Sequence, residues 1–136
     1  MTQIVIVTHG RLGEELLRTA EMILGPQEGV HAVSLLAEEG PETFQDKLDA
    51  VLQRAEADDT LILLDFLGGT PYNVAARWLR DSRVECVTGV NLPLLLEILS
   101  ARDTFSAADL AQRAVRTGRE AIKNLRPLLG PESDGG

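Results

Sequence analysis

A chain of 136 residues with 13 Lys and Arg against 21 Asp and Glu, a formal charge of −8, two histidines and one cysteine excludes several classes at once. Its length suits one domain with its own core, and the single Cys86 excludes an internal disulfide or a Cys-rich zinc site and favours a reducing, cytoplasmic compartment. The acidic balance argues against nonspecific nucleic-acid binding and against adhesion to anionic lipid, both of which need a basic surface.

The opening apolar run Ile4-Val5-Ile6-Val7 is too short for a signal-peptide core and lacks a basic flank, so it reads as a first strand. Leu12, Leu16, Leu17, Ala20, Ile23 and Leu24 recur at helical spacing up to the stop signal Gly25-Pro26. A second strand follows over residues 30–35, then a helix opened by Gly40-Pro41 that places Phe44, Leu48, Val51 and Leu52 on one face. Leu61-Ile62-Leu63-Leu64 is a third strand, apolar throughout like the first, so both are expected at the centre of a parallel sheet. Thr70-Pro71 opens a third helix, with Thr70 as cap and Val74, Ala75, Trp78 and Leu79 as its buried face. The fourth strand, residues 84–87, alternates more and suits an edge; Pro93 opens a short apolar helix, and Ser106 leads into another that holds Leu110, Ala114 and Val115.

The alternation of strand and helix predicts a single-domain α/β fold, doubly wound around a mainly parallel sheet. Residues 1–130 are expected to form the domain and residues 131–136, small and polar, a disordered tail. No stretch approaches the roughly 20 apolar residues that span a bilayer.

Open parallel sheets bind ligands at the carboxyl ends of their strands beside the point where strand order reverses, which for the order 2-1-3-4 lies between the first and third strands. The first strand ends in Thr8-His9-Gly10 and the third in Asp65-Phe66-Leu67-Gly68-Gly69-Thr70-Pro71. A histidine, an aspartate and a glycine-rich loop entering a helix therefore converge there. An Asp65 carboxylate bonded to one nitrogen of His9 would fix the tautomer and leave the other lone pair as a nucleophile. Backbone N–H groups of Gly68, Gly69 and Thr70, with the Thr70 hydroxyl, could hold the oxygens of a phosphoryl group.

Each part has a plainer reading. His9 can be a hydrogen-bonded structural residue, Asp65 a turn or helix cap, and Gly-Gly-Thr-Pro a common strand-to-helix turn. The helix after His9 favours a neutral imidazole while the Asp65 anion favours a charged one, and the residues alone leave that balance open. His31 reads as a bystander, Cys86 as a small apolar strand residue, and the charge as solvated faces such as Glu38-Glu39 and Asp58-Asp59. No nucleotide-triphosphate loop is present, Gly10-Arg11-Leu12-Gly13 falls short of a dinucleotide fingerprint, and the acidic pair of a receiver domain is missing from the end of the first strand.

Three runs, Ile4-Val5-Ile6-Val7-Thr8-His9-Gly10, the stretch from Leu63 through Asp65-Phe66-Leu67-Gly68-Gly69-Thr70-Pro71 to Asn73, and Thr88-Gly89-Val90-Asn91-Leu92-Pro93-Leu94-Leu95, occur in order. With Thr19-Ala20-Glu21-Met22 and Thr117-Gly118-Arg119-Glu120 the chain resembles, over roughly residues 4–123, the mannose/fructose-type enzyme IIA domain of the bacterial phosphoenolpyruvate:sugar phosphotransferase system. The resemblance implies a cytoplasmic phosphocarrier without metal or cofactor, in which His9 accepts a phosphoryl group from HPr and passes it to an enzyme IIB. On that reading Asp65 orients His9, the Gly68-Gly69-Thr70 loop holds the phosphate, and contact with a membrane is indirect, through permease components. No Ala/Pro-rich linker is present, so the IIB is expected on a separate polypeptide. The resemblance also implies a homodimer that exchanges an antiparallel C-terminal strand, with Gly118 ending the last helix and residues 120–125 forming that strand, whereas periodicity alone extends the helix to Leu125. Two other readings are a regulatory sensor of phosphorylation state and a non-enzymatic anion- or nucleotide-binding module in the same crevice. A metal site on His9 and Asp65 lacks a third ligand.

Overall fold

The computed structural model of the chain describes residues 1–54 and 59–135. Strand β1 (Gln3–His9) is followed by α1 (Leu12–Leu24), β2 (Val30–Leu35), α2 (Pro41–Gln53), β3 (Thr60–Leu64) and α3 (Gly69–Ala76). A 3₁₀ turn (Arg77–Arg80) then leads to β4 (Val84–Thr88), α4 (Leu92–Ala101), α5 (Ala107–Glu120) and α6 (Leu125–Gly135).

The strands form one parallel sheet in the order β2-β1-β3-β4. Its centre is where the apolar runs lie: Gln3 to Thr8 of β1 and all of β3 are buried, while β2 and β4 alternate between buried and more open positions. Side chains of a strand alternate between faces, so each strand feeds two cores. Ile4, Ile6, Leu61, Leu63 and Val87 pack with Ala20 of α1, Leu95 and Ile98 of α4 and Leu110 of α5. Val5, Val7, Val33, Ile62 and Leu64 pack on the other face with Phe44, Leu48 and Leu52 of α2 and Val74 of α3. Full burial of a side chain such as Phe44 contributes roughly 1.5–3 kcal/mol, and the two cores set the sheet between two helical layers.

Several local expectations are corrected. Gly68, with φ 132°, is the N-cap of α3; Thr70 lies inside the first turn and makes no cap bond, because the chain turns earlier than the Thr-Pro pair. The 3₁₀ turn tightens the end of that helix and rotates Leu79 outward, leaving it 50% exposed. Gly118 does not end α5, which runs on to Glu120. A Cβ at Gly118 would lie 2.9 Å from Leu94 Cδ2, so this glycine serves the close approach of α5 to α4. Residues 120–125 form the end of α5, a turn, an open segment and the start of α6, without strand pairing. The helix predicted by periodicity therefore stops five residues short of Leu125, and the segment implied as an exchanged strand is not a strand in the single chain. Helix α6 has a break at Gly130, whose φ is 70°; Gly136 lies outside the described residues.

The charges expected on solvated faces do structural work in part. Asp59 accepts hydrogen bonds from the Thr2 hydroxyl at 2.6 Å and the Ala107 N–H at 2.7 Å, tying the start of β1 to α5. Glu39 accepts from Lys47 and from the Leu36 N–H, and the Lys47 bond first among these holds its carboxyl below the usual glutamate range. Asp58 lies outside the described residues.

Candidate functional site

The order of the strands places the carboxyl ends of β1 and β3 side by side, Val7 opposite Leu64. The next residues are Thr8-His9, which complete β1, and Asp65-Phe66, which directly follow β3. Chain reversal after His9 needs Gly10, whose φ of 55° lies in the left-handed region and whose N–H donates to Leu35 O at 2.7 Å. Thr8 is fully buried, and its Oγ1 accepts the Gly13 N–H at 2.9 Å. The threonine beside His9 thus satisfies a free donor of the first turn of α1, where Arg11 provides no side-chain cap.

Asp65 bonds to His9 twice through one oxygen. Its Oδ2 accepts the His9 backbone N–H and faces His9 Nδ1, each at 2.8 Å, while Oδ1 accepts the Phe66 N–H at 2.9 Å. The Asp65 side chain is 9% exposed and that of His9 41%, so the acid is sheltered and the imidazole reaches solvent. Burial pushes the Asp65 carboxyl up, but the bonds from the His9 backbone, the His9 ring and the Phe66 N–H outweigh it and the acid lies below its ordinary value. An ionised Asp65 accepts from Nδ1–H, which places the lone pair of the neutral ring on Nε2.

Nε2 lies against the glycine loop. A Cβ built on Gly69, whose φ is 77°, would sit 2.9 Å from Nε2 and 3.1 Å from Cε1 of His9. Glycine at this position permits both the backbone conformation and the approach of the loop to the ring. From Gly68 the chain enters α3, whose first-turn N–H groups at Gly69 and Thr70 have no partners one turn earlier in the helix. Such N–H groups, at the positive end of a helix, suit an anion.

The structure brings Asp65 and Gly69 against His9, and Gly68 and Thr70 flank Gly69 at the start of α3. Sequence reasoning missed Phe66, whose ring stacks on the His9 imidazole with centroids 5.0 Å apart and planes at 16°; an aromatic next to the site aspartate was the available signal. It also missed Asn91, which caps α4 by accepting the Leu94 N–H at 3.0 Å and donates to Gly118 O at 3.2 Å. His31 is exposed on β2, away from this cluster. Cys86 packs beside the second core, where burial first and Glu85 second push its thiol up to about 11, a poor setting for a nucleophile. Among the described residues no group of three or more His, Cys, Asp or Glu is placed to hold a metal ion, and no helix is long and apolar enough to cross a membrane.

Residues 3–115 match the family model EIIA-man, described as the phosphotransferase system (PTS) fructose IIA component. The chain belongs to this family. It is 45% identical over 128 residues to the PTS system mannose-specific EIIAB component of Escherichia coli, covering 90% of this chain and 39% of that protein. The chain thus spans about two fifths of the length of that relative. It is 38% identical to the PTS system fructose-specific EIIA component of Bacillus subtilis, with 81% of this chain and 77% of that one covered. Its fold superposes on the mannose/sorbose-specific IIA subunit of Enterococcus faecalis with a TM-score of 0.84 at 32% identity, over 92% of this chain and 95% of the other. The chain is accordingly a member of the EIIA-man family built on a four-stranded parallel α/β domain.

Proposed function

We propose that this IIA component carries a phosphoryl group on Nε2 of His9, accepting it from the phosphohistidine of HPr and passing it to an enzyme IIB of a mannose-family sugar transport system. The observation that supports this most directly is the double bond of Asp65 to His9, which holds the ring by Nδ1 and leaves Nε2 facing the glycine loop. In the transfer the Nε2 lone pair forms a bond to phosphorus as the donor's N–P bond breaks, and that electron pair returns to the donor's imidazole. The Nδ1 proton stays in its bond to Asp65, whose charge balances the positive charge the ring acquires. The N–H groups of Gly68, Gly69 and Thr70 and the Thr70 hydroxyl are the groups that hold the phosphoryl oxygens. The same step in reverse delivers the group to enzyme IIB.

The reading places the protein in the cytoplasm, meeting the membrane only through permease components. It works as a homodimer, with the acidic surface suited to a basic face on its carrier partners. Incubation with phosphoenolpyruvate, enzyme I and HPr should yield an acid-labile, base-stable phosphoadduct. Its persistence in His9→Ala would overturn the assignment, and an unchanged transfer rate in Asp65→Ala would overturn the orienting role.

A further inference from the structure

Phe66 stands where packing does not require it. The side chain is 52% exposed and belongs to neither core, yet its ring covers one face of the His9 imidazole. Its edge also follows the loop: a Cβ at Gly68 would meet Phe66 Cε2 at 3.7 Å, and one at Gly69 would meet Cζ at 3.9 Å. The phenyl ring is therefore wedged between the imidazole face and the two glycines that begin α3.

Of the two bonds to Asp65, one is to the His9 backbone, so the carboxylate holds the imidazole ring itself only at Nδ1. A single hydrogen bond permits the half-exposed ring to pivot about that contact, which swings Nε2 on the far side of the imidazole. A second ring stacked at 16° opposes that motion, since tilting either ring breaks the face contact. Phe66 also offers a π face to a ring that becomes positively charged as Nε2 forms its bond to phosphorus.

We infer that Phe66 is a positioning residue for His9, its stacked ring acting with Asp65 to hold Nε2 on the line of phosphoryl transfer. The inference rests on the proposed role of His9, and it assigns to an exposed aromatic a task within the protein rather than in partner contact.

Phe66→Leu keeps apolar bulk and removes the π face, and Phe66→Tyr keeps both. In the unphosphorylated protein the ring protons of His9 should move downfield in Phe66→Leu, as the ring current is lost, and stay near their wild-type positions in Phe66→Tyr. In rapid-quench transfer from phospho-HPr the limiting rate of Phe66→Leu should fall about tenfold, with the half-saturating donor concentration changed by less than about twofold, and Phe66→Tyr should recover the rate. Thermal melting should be little changed, because the ring is outside both cores. A raised half-saturating concentration at unaltered limiting rate would make Phe66 a partner contact and overturn the inference, as would unchanged kinetics or unmoved His9 protons in Phe66→Leu. If wild-type His9 accepts no phosphoryl group, the proposed function fails by itself, and the His9 resonances alone then decide whether Phe66 holds the ring.

Discussion

Gly69 and His9 are in contact so close that the glycine has room for no side chain: a Cβ there would stand 2.9 Å from Nε2. The atom proposed to carry the phosphoryl group is thus the atom that the loop backbone approaches. Gly69→Ala should displace the imidazole and strain a backbone held at φ 77°. Transfer to His9 should drop by about 100-fold for a shift near 1 Å, at a stability cost of about 1–2 kcal/mol. Gly68→Ala is the comparison variant, since its φ of 132° also strains an alanine but its Cβ would meet Phe66 at 3.7 Å instead of the imidazole. Equal losses of transfer in the two variants at equal stability would show that backbone strain, and not contact with Nε2, is responsible.

The depressed Asp65 carboxyl sets the pH range of the site. Its value in the folded protein lies below that of the unfolded chain, so its contribution to stability is fully present above the unfolded value and lost as pH falls through the folded one. The stability difference between wild type and Asp65→Asn in chemical denaturation should therefore begin to narrow as pH falls below about 4 and keep narrowing toward lower pH. A difference that stays unchanged from about pH 5 down to about pH 2 would mean that Asp65 is not the group titrating.

Thr8 connects the site to the start of α1, because its buried hydroxyl accepts the Gly13 N–H at 2.9 Å. Thr8→Val keeps the shape and removes the acceptor, leaving a buried donor unsatisfied at a cost of about 1–3 kcal/mol. Thr8→Ser keeps the acceptor and should be milder. Calorimetric melting of the three proteins checks the order, and hydrogen exchange at Gly13 should speed up in Thr8→Val alone.

Gly118 and Leu94 offer a test of packing between α4 and α5. The Cβ of Gly118→Ala would meet Leu94 Cδ2 at 2.9 Å, so overpacking should cost about 1–3 kcal/mol even though alanine favours helix. Shortening Leu94 to Ala in the same protein should relieve that clash, giving a coupling of about 0.5–3 kcal/mol in a double-mutant cycle. Additive effects would place the role of Gly118 elsewhere.

Apolar patterning alone determined the layered architecture. Continuous burial of residues 3–8 and 60–64 has no place except the middle of a sheet covered on both sides, and the strand-helix alternation then leads to parallel pairing. The same logic carried His9 and Asp65 to adjacent strand ends, since a residue's position along a strand is a local property and neighbouring strands share their ends. The resemblance implied a helix stop at Gly118, whereas the residue lies within α5 and leaves room for Leu94, which only the packed structure shows. Thr70 was misread as a cap for a related reason, since the positive φ of Gly68 turned the chain earlier than the Thr-Pro pair suggested. Tertiary structure alone decided which oxygen of Asp65 meets Nδ1, that Phe66 stacks on the imidazole, and that Gly69 touches Nε2. Those contacts join segments 56 residues apart in the chain for the Asp65 bond, and their geometry follows from how two strands and a helix pack rather than from any local pattern.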